Sequence, residues 1–444
     1  MKRNATKESR ICGYVIEKMT GRRKSMRKEL WSERVDLFDP NIYIAFAVEI
    51  EGNPSKESLV AAAEAAFAAN EATMSRIVLE ADGTAYYERM EASGCKAEIT
   101  EQQDFHALLC GNEKKSFDIG QGELVRVFAG DGRLFIMAHH LAGDGKSITY
   151  LLEDIMNALA GVTLAGKGLP LITAASFPKN AKLPVFFKWY ADKFNRKWKK
   201  SGRAFGWEDY RRIHKSYWEK HSSRVLCESF SAEEVKELRT RTKEMGISMN
   251  TFLTTAFLAA DTANACIGMP VDARADGNRG MANQATGISI DYAYQSGKTF
   301  AENARVVHGK VQEKLRRPKN RYFILQFMPL FLPTLIDSVL MHTYDLYENE
   351  TTHKLAQILG YKGGKTRELG ITNLTRLDIP DVYGGYQIRN VLFVPPVVSY
   401  ARHIIGVCTT GDGMRVSYHF MSDADEEKEH AFFERAVKTM RELL

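Results

Sequence analysis

From residue 41 to 52 apolar and polar side chains alternate, with Ile42, Ile44, Phe46, Val48 and Ile50 on one face. Asn53-Pro54-Ser55 then opens an alanine-rich run to Asn70. The pattern predicts a strand followed by a capped helix. Residues 76–87 and 124–140 each predict a hairpin, turning at Asp82-Gly83 and at Gly130-Asp131-Gly132. Ile148, Leu151, Leu152, Ile155, Met156 and Leu159 then recur at helical spacing. A histidine pair, His139-His140, therefore falls where a strand ends and a helix is about to begin. Leu134, Ile136 and Ala138 share a strand face with His140, and Phe135 and Met137 share the other with His139, so both faces read as buried.

Between 162 and 184 the periodicity fades into Gly, Pro, Ser and Ala, which predicts a crossover. Beyond it, 224–230 reads as a strand, and Ser231-Ala232-Glu233-Glu234 is a capping box for a helix that Gly246 closes. Ser248-Met249-Asn250 starts a second, apolar helix, 287–292 and 370–377 read as strands, and 404–420 is a hairpin around Gly411-Asp412-Gly413. This hairpin echoes the first half, because His419 precedes Asp423 by the spacing that separates His140 from Asp144. The second copy lacks the following glycine, so it reads as a structural relic. The mixture of strands and helices predicts an α/β protein of two related lobes, 1–175 and 176–444, consistent with a chain of 444 residues being too long for one core.

Charge narrows the partners. A net charge of +6 is modest for this length and argues against a dedicated nucleic-acid binder. The six cysteines, Cys12, Cys95, Cys110, Cys227, Cys266 and Cys408, lack paired spacing, and the basic N-terminal stretch lacks an apolar core, so a reduced cytoplasmic protein is expected. The apolar run 323–341 contains Gln326, Pro329, Pro333 and Asp337, which favours a buried helix over a membrane span. Residues 182–200 interleave aromatics with lysines, readable as an amphipathic helix or as a docking surface for CoA phosphates or an acidic carrier.

The candidate chemistry sits in His139-His140-Leu141-Ala142-Gly143-Asp144-Gly145. A neutral imidazole, with an ordinary pKa of about 6.5, suits a general base at neutral pH. A carboxylate four residues on, followed by glycine, can hold the loop in place without touching substrate. At this composition His-x-x-x-Asp-Gly arises by chance in about one such chain in twenty, and the preceding His139 lowers that to on the order of one in a thousand. The bland alternative is two core histidines and an Asp144 that only caps a helix. Other chemistries fit less well. Gly143-Asp144-Gly145-Lys146-Ser147 and Gly363-Gly364-Lys365-Thr366 resemble P-loop ends, but His140 and Leu359 stand where glycine is required. Adjacent strand residues point to opposite faces, which argues against a metal held by both histidines. No Gly-x-Ser-x-Gly elbow is present.

With these residues in hand, the chain resembles the condensation domains of nonribosomal peptide synthetases and their stand-alone acyltransferase relatives, including alcohol acetyltransferases. The resemblance rests on the segment from Ser116-Phe117-Asp118 to Val127, the His-His-x-x-x-Asp-Gly motif, Gly246-Ile247-Ser248-Met249-Asn250-Thr251, Val271-Asp272-Ala273-Arg274 and Ile371-Thr372-Asn373-Leu374. It implies two chloramphenicol-acetyltransferase-like lobes facing each other across a channel, with His140 catalytic, and His139 and Gly145 supporting it. It also implies a structural Asp144 paired with Arg274, and Thr372 and Asn373 near the oxyanion. The implied reaction moves an acyl group from acyl-CoA or an acyl carrier protein thioester to a small-molecule alcohol or amine, with no permanently bound cofactor and no metal. Glu123 and Lys146 depart from the residues common in peptide-synthetase domains, and no Asp-Phe-Gly-Trp-Gly motif is present, which favours a free-standing enzyme. The alternative is a catalytically silent module of the same fold that binds a carrier protein or acyl ligand.

Overall fold

The computed structural model describes residues 27–444 apart from 276, 365, 366 and 400. Cys12, the basic stretch before residue 27, Lys365 and Thr366 lie outside the described residues.

The chain opens with β1 (Arg27–Glu29), a 3-10 turn (Ser32–Asp36) and β2 (Tyr43–Glu51). Helix α1 (Lys56–Ala69) follows, with the Ser55 side chain accepting from the Ser58 N–H as its cap. The hairpins appear where alternation placed them, as β3 (Ser75–Leu79) with β4 (Ala85–Arg89), and, after β5 (Lys96–Ile99) and α2 (Phe105–Glu113), as β6 (Val125–Gly130) with β7 (Arg133–His139). Helix α3 (Gly145–Leu159) starts after a 3-10 turn (His140–Ala142). The crossover leads to α4 (Val185–Ser201) and α5 (Trp207–Trp218).

The second half begins with β8 (Ser223–Ser231), α6 (Ala232–Glu244) and α7 (Met249–Ala260). The capping box at Ser231 and the Ser248 side chain, which accepts from the Thr251 N–H, cap the two helices, and Gly246 takes φ +69° between them. Then come β9 (Cys266–Asp272), β10 (Ala285–Asp291), α8 (Phe300–Arg316) and α9 (Pro318–Arg321). The apolar run forms α10 (Phe323–Phe327), continued by a 3-10 turn to Leu330, and α11 (Pro333–Thr343), bent by 100° at a break flanked by Pro329 and Pro333. No single helix among the described residues is long and apolar enough to cross a membrane. The chain ends with α12 (Glu350–Leu359), β11 (Arg367–Arg376), β12 (Val382–Tyr383), β13 (Tyr386–Val394), β14 (Ala401–Thr410), β15 (Gly413–Met421) and α13 (Glu426–Arg441).

Two six-stranded sheets organise these elements. The first runs β12-β13-β2-β7-β6-β5, the second β10-β9-β11-β14-β15-β8, and β1-β4-β3 form a small third sheet. Helices α6, α7, α8 and α13 pack with the second sheet around one core, which includes Phe252, Phe257, Ile371, Tyr418 and Phe432. The lobes do not separate at residue 175. Strands β12 and β13 return to the first sheet, with Val394 opposite Ala45, and Trp198, Tyr210, Leu335 and Leu355 join the first core. The C-terminal half thus supplies an edge and a flank of the N-terminal lobe.

Candidate active site

His140 is placed by the pairing of β2 with β7. Tyr43 lies opposite His139, and the His140 N–H donates to the Ile42 carbonyl at 3.0 Å, so strand pairing lasts one residue beyond β7 before the chain turns. His139 points into the core between the rings of Tyr43 and Phe117, where burial, helped by His140, His214 and Arg126, pushes its imidazole down to about 3. It stays neutral, and its Nδ1 accepts from the Leu141 N–H at 3.2 Å, which puts its proton on Nε2 and fixes the turn.

The His140 side chain is 16% exposed. Its Nδ1 is buried with no hydrogen-bond partner and stands 4.0 Å from Asp36 Oδ2, so the ring's open edge is the one carrying Nε2. Asp36 is buried at the end of the 3-10 turn, where burial pushes its carboxyl above the ordinary range against the pull of His140 and of a 2.9 Å hydrogen bond from Asn283 Nδ2. At 4.0 Å the pair is too far apart for a hydrogen bond and close enough for a carboxylate to stabilise an imidazolium. The same turn carries Glu33, whose two oxygens are buried without partners; burial pushes it up to about 8. Arg34 beside it forms a buried two-bond ion pair with Asp337 of α11.

The rest of the motif ties the lobes together. Asp144 caps α3, accepting from the Ser147 N–H at 3.0 Å, from the Gln284 N–H at 2.9 Å and from both terminal nitrogens of Arg274, at 2.6 and 2.9 Å. Burial would raise the Asp144 carboxyl, but the Arg274 charge and hydrogen bonds outweigh it and hold the group below its ordinary range. Ser147 Oγ completes the clasp by donating to the Ala282 carbonyl at 2.8 Å. Gly143 has φ +147°, and a Cβ there would lie 2.3 Å from Ser147 Cβ. A Cβ on Gly145 would lie 2.8 Å from Leu374 Cδ2, so the second glycine lets β11 approach the first turn of α3.

Thr372 and Asn373 separate here. Thr372 shares the strand face of Leu374, which meets the motif helix, whereas Asn373 shares the face of Ile371, which belongs to the second core. Asn373 Oδ1 is also engaged, accepting from the Thr375 N–H at 2.7 Å. The two departures noted in the sequence have local partners. Glu123 accepts from Arg126 at 2.7 Å and from Lys96 at 3.0 Å, and Lys146 reaches Asp272 at 3.1 Å. The echo at His419 is buried, with Nδ1 2.7 Å from the Pro395 carbonyl, and Asp423 pairs with His221 at 3.4 Å instead of an arginine. No group of three side chains fit to hold a metal occurs among the described residues.

Solved structures share this fold. A trichothecene 15-O-acetyltransferase from Fusarium sporotrichioides superposes with a TM-score of 0.61 at 11% identity, covering 94% of this chain and 94% of that one. The epimerization domain from the third module of tyrocidine synthetase B gives 0.58 at 15% identity, covering 94% and 98%. The condensation domain from the Monacolin K polyketide synthase gives 0.58 at 14% identity, covering 93% and 96%. This is the condensation-domain and chloramphenicol-acetyltransferase-like fold. No family model and no curated relative matches the sequence. In this chain the histidine stands at a strand end and the aspartate caps the next helix, and Asp36, a residue outside the motif, lies behind the histidine.

Proposed function

We propose that this chain is an acyltransferase, moving an acyl group from a CoA or carrier-protein thioester to a hydroxyl or amine, with His140 as general base. The observation that carries the reading is the state of the His140 ring, whose Nδ1 is buried against Asp36 while the side chain keeps 16% of its surface exposed. With its proton on Nδ1, the ring presents the Nε2 lone pair to an incoming acceptor. Nε2 takes the acceptor's proton as its oxygen or nitrogen attacks the thioester carbonyl, and Asp36 stabilises the imidazolium that forms. Collapse of the tetrahedral intermediate breaks the carbon–sulfur bond, and the departing thiolate takes the proton back from Nε2. Thr372, on the face of β11 turned to the motif helix, is the better placed of the two candidate oxyanion donors.

The test is to incubate purified protein with a panel of acyl-CoAs and small alcohols or amines and to follow free thiol. Acceptor-dependent thiol release that disappears in His140→Ala supports the assignment. Release at the same rate in that variant removes the histidine from the reaction, and no release with any donor, free or carrier-bound, favours a silent binding module.

A further inference from the structure

Residues 182–200 read as either an amphipathic helix or a docking surface, and helix α4 turns only some of its aromatics inward. Phe187 packs on Phe323 and Phe327 at centroid distances of 5.3 and 5.6 Å, Phe194 packs on Phe331 at 6.1 Å, and Trp198 Nε1 donates to Thr334 Oγ1 at 2.9 Å. Val185, Phe186 and Trp189 point the other way and are 82%, 60% and 56% exposed. Exposed large apolar side chains are ordinary when isolated, and Ile99, Val162, Ile358 and Val382 are spread singly along the chain. Three within five consecutive residues form a patch.

The same face continues as cations. Phe186, Trp189, Lys193, Arg196 and Lys200 follow one another at spacings of three and four residues, which places them on one side of the helix. Lys188, Lys197 and Lys199 flank that stripe, and Asp192 is the one acid between 182 and 201. An apolar tip followed by long cationic side chains suits an anionic bilayer, where the rings enter the boundary between headgroups and acyl chains and the ammonium groups stay at the phosphates.

We propose that this face of α4 is an interfacial anchor that seats the protein on an anionic lipid surface, with Val185, Phe186 and Trp189 inserted. The anchor rests on packing shared with the candidate active site. Tyr322, next to Phe323, meets Phe177 at 5.7 Å, and Phe177 meets Trp31 at 6.2 Å, just before the turn that holds Asp36. The proposal stands whether or not the chain transfers acyl groups.

The full chain is tested by flotation with vesicles of phosphatidylcholine and of phosphatidylcholine mixed with phosphatidylglycerol. The expected result is binding to the mixed vesicles, weakened by salt, and weakened about tenfold or more by Phe186→Ser combined with Trp189→Ser. Because both side chains are mostly exposed, that variant keeps the wild-type melting temperature. A blue shift of tryptophan emission on vesicle addition is expected to vanish in Trp189→Phe, which still binds. Equal binding by the double variant overturns the proposal, since lysines alone would then explain it. So does a wild-type chain that ignores vesicles, or one that self-associates through the patch or binds an acidic carrier protein in their place.

Discussion

Arg274 closes both of its terminal nitrogens on the Asp144 carboxylate, at 2.6 and 2.9 Å, from the loop that follows β9 in the second sheet, while Asp144 caps the helix that follows β7 in the first. The pair therefore fastens the two lobes beside His140. Both groups are buried, and each carries further hydrogen bonds, so removing one leaves the other charged and without its partner.

Asp144→Ala is accordingly expected to cost about 3 to 5 kcal/mol of stability. Chemical denaturation checks this directly. A midpoint equal to wild type would show that the pair does not hold the lobes.

Much of this arrangement was readable along the chain, and the failures share a cause. The helix starts at Ser55, Ser231 and Ser248 depend on hydrogen bonds spanning three residues, and the hairpins depend on alternation, so local sequence contains them. The Asp144–Arg274 pair was accessible only through the resemblance, since nothing along a sequence separation of 130 indicates it. Asp36 was missed because it lies far from His140 in sequence, in a 3-10 turn whose five residues carry no periodic signal. The return of β13 to the first sheet was missed for the same reason, because its partner β2 is chosen by tertiary packing. Thr372 and Asn373 were read as one pair, although strand alternation sends adjacent side chains to opposite faces.

His140→Ala is expected to lower turnover by about 10² to 10⁴ while leaving the melting temperature near wild type, since its buried Nδ1 makes no hydrogen bond that supports the fold. Steady-state kinetics on purified variants measures this. Retained turnover would exclude the imidazole as base.

Asp36→Asn keeps the shape and the contact with Asn283 while removing the charge behind Nδ1. It is expected to lower kcat by about ten- to hundredfold, consistent with loss of a carboxylate that steadies an imidazolium at 4.0 Å, and to leave KM near wild type. The pH profile separates this from a packing defect. Loss of the charge makes the imidazolium less favourable, so the rising limb of activity shifts to lower pH. An unchanged profile would assign Asp36 a structural role only.

Glu33 yields a prediction about stability. Its carboxyl has an ordinary value of 4.5 and is pushed up to about 8 in the folded chain, chiefly by burial. The folded state therefore holds this proton more tightly than the unfolded state. The resulting stability is complete below pH 4.5 and is lost as pH rises through 8. Asp39 and Asp337, pushed up to about 6, act in the same direction but finish near that pH, and His139, held down to about 3, acts in the opposite direction only below 6.5. Between pH 6.5 and 8 Glu33 dominates among these groups, and wild-type stability is expected to fall there by about 2 kcal/mol. Glu33→Gln, which stays neutral, is expected to flatten that slope. Urea titrations of both proteins across this range provide the comparison, and parallel curves would show that Glu33 does not remain protonated inside the fold.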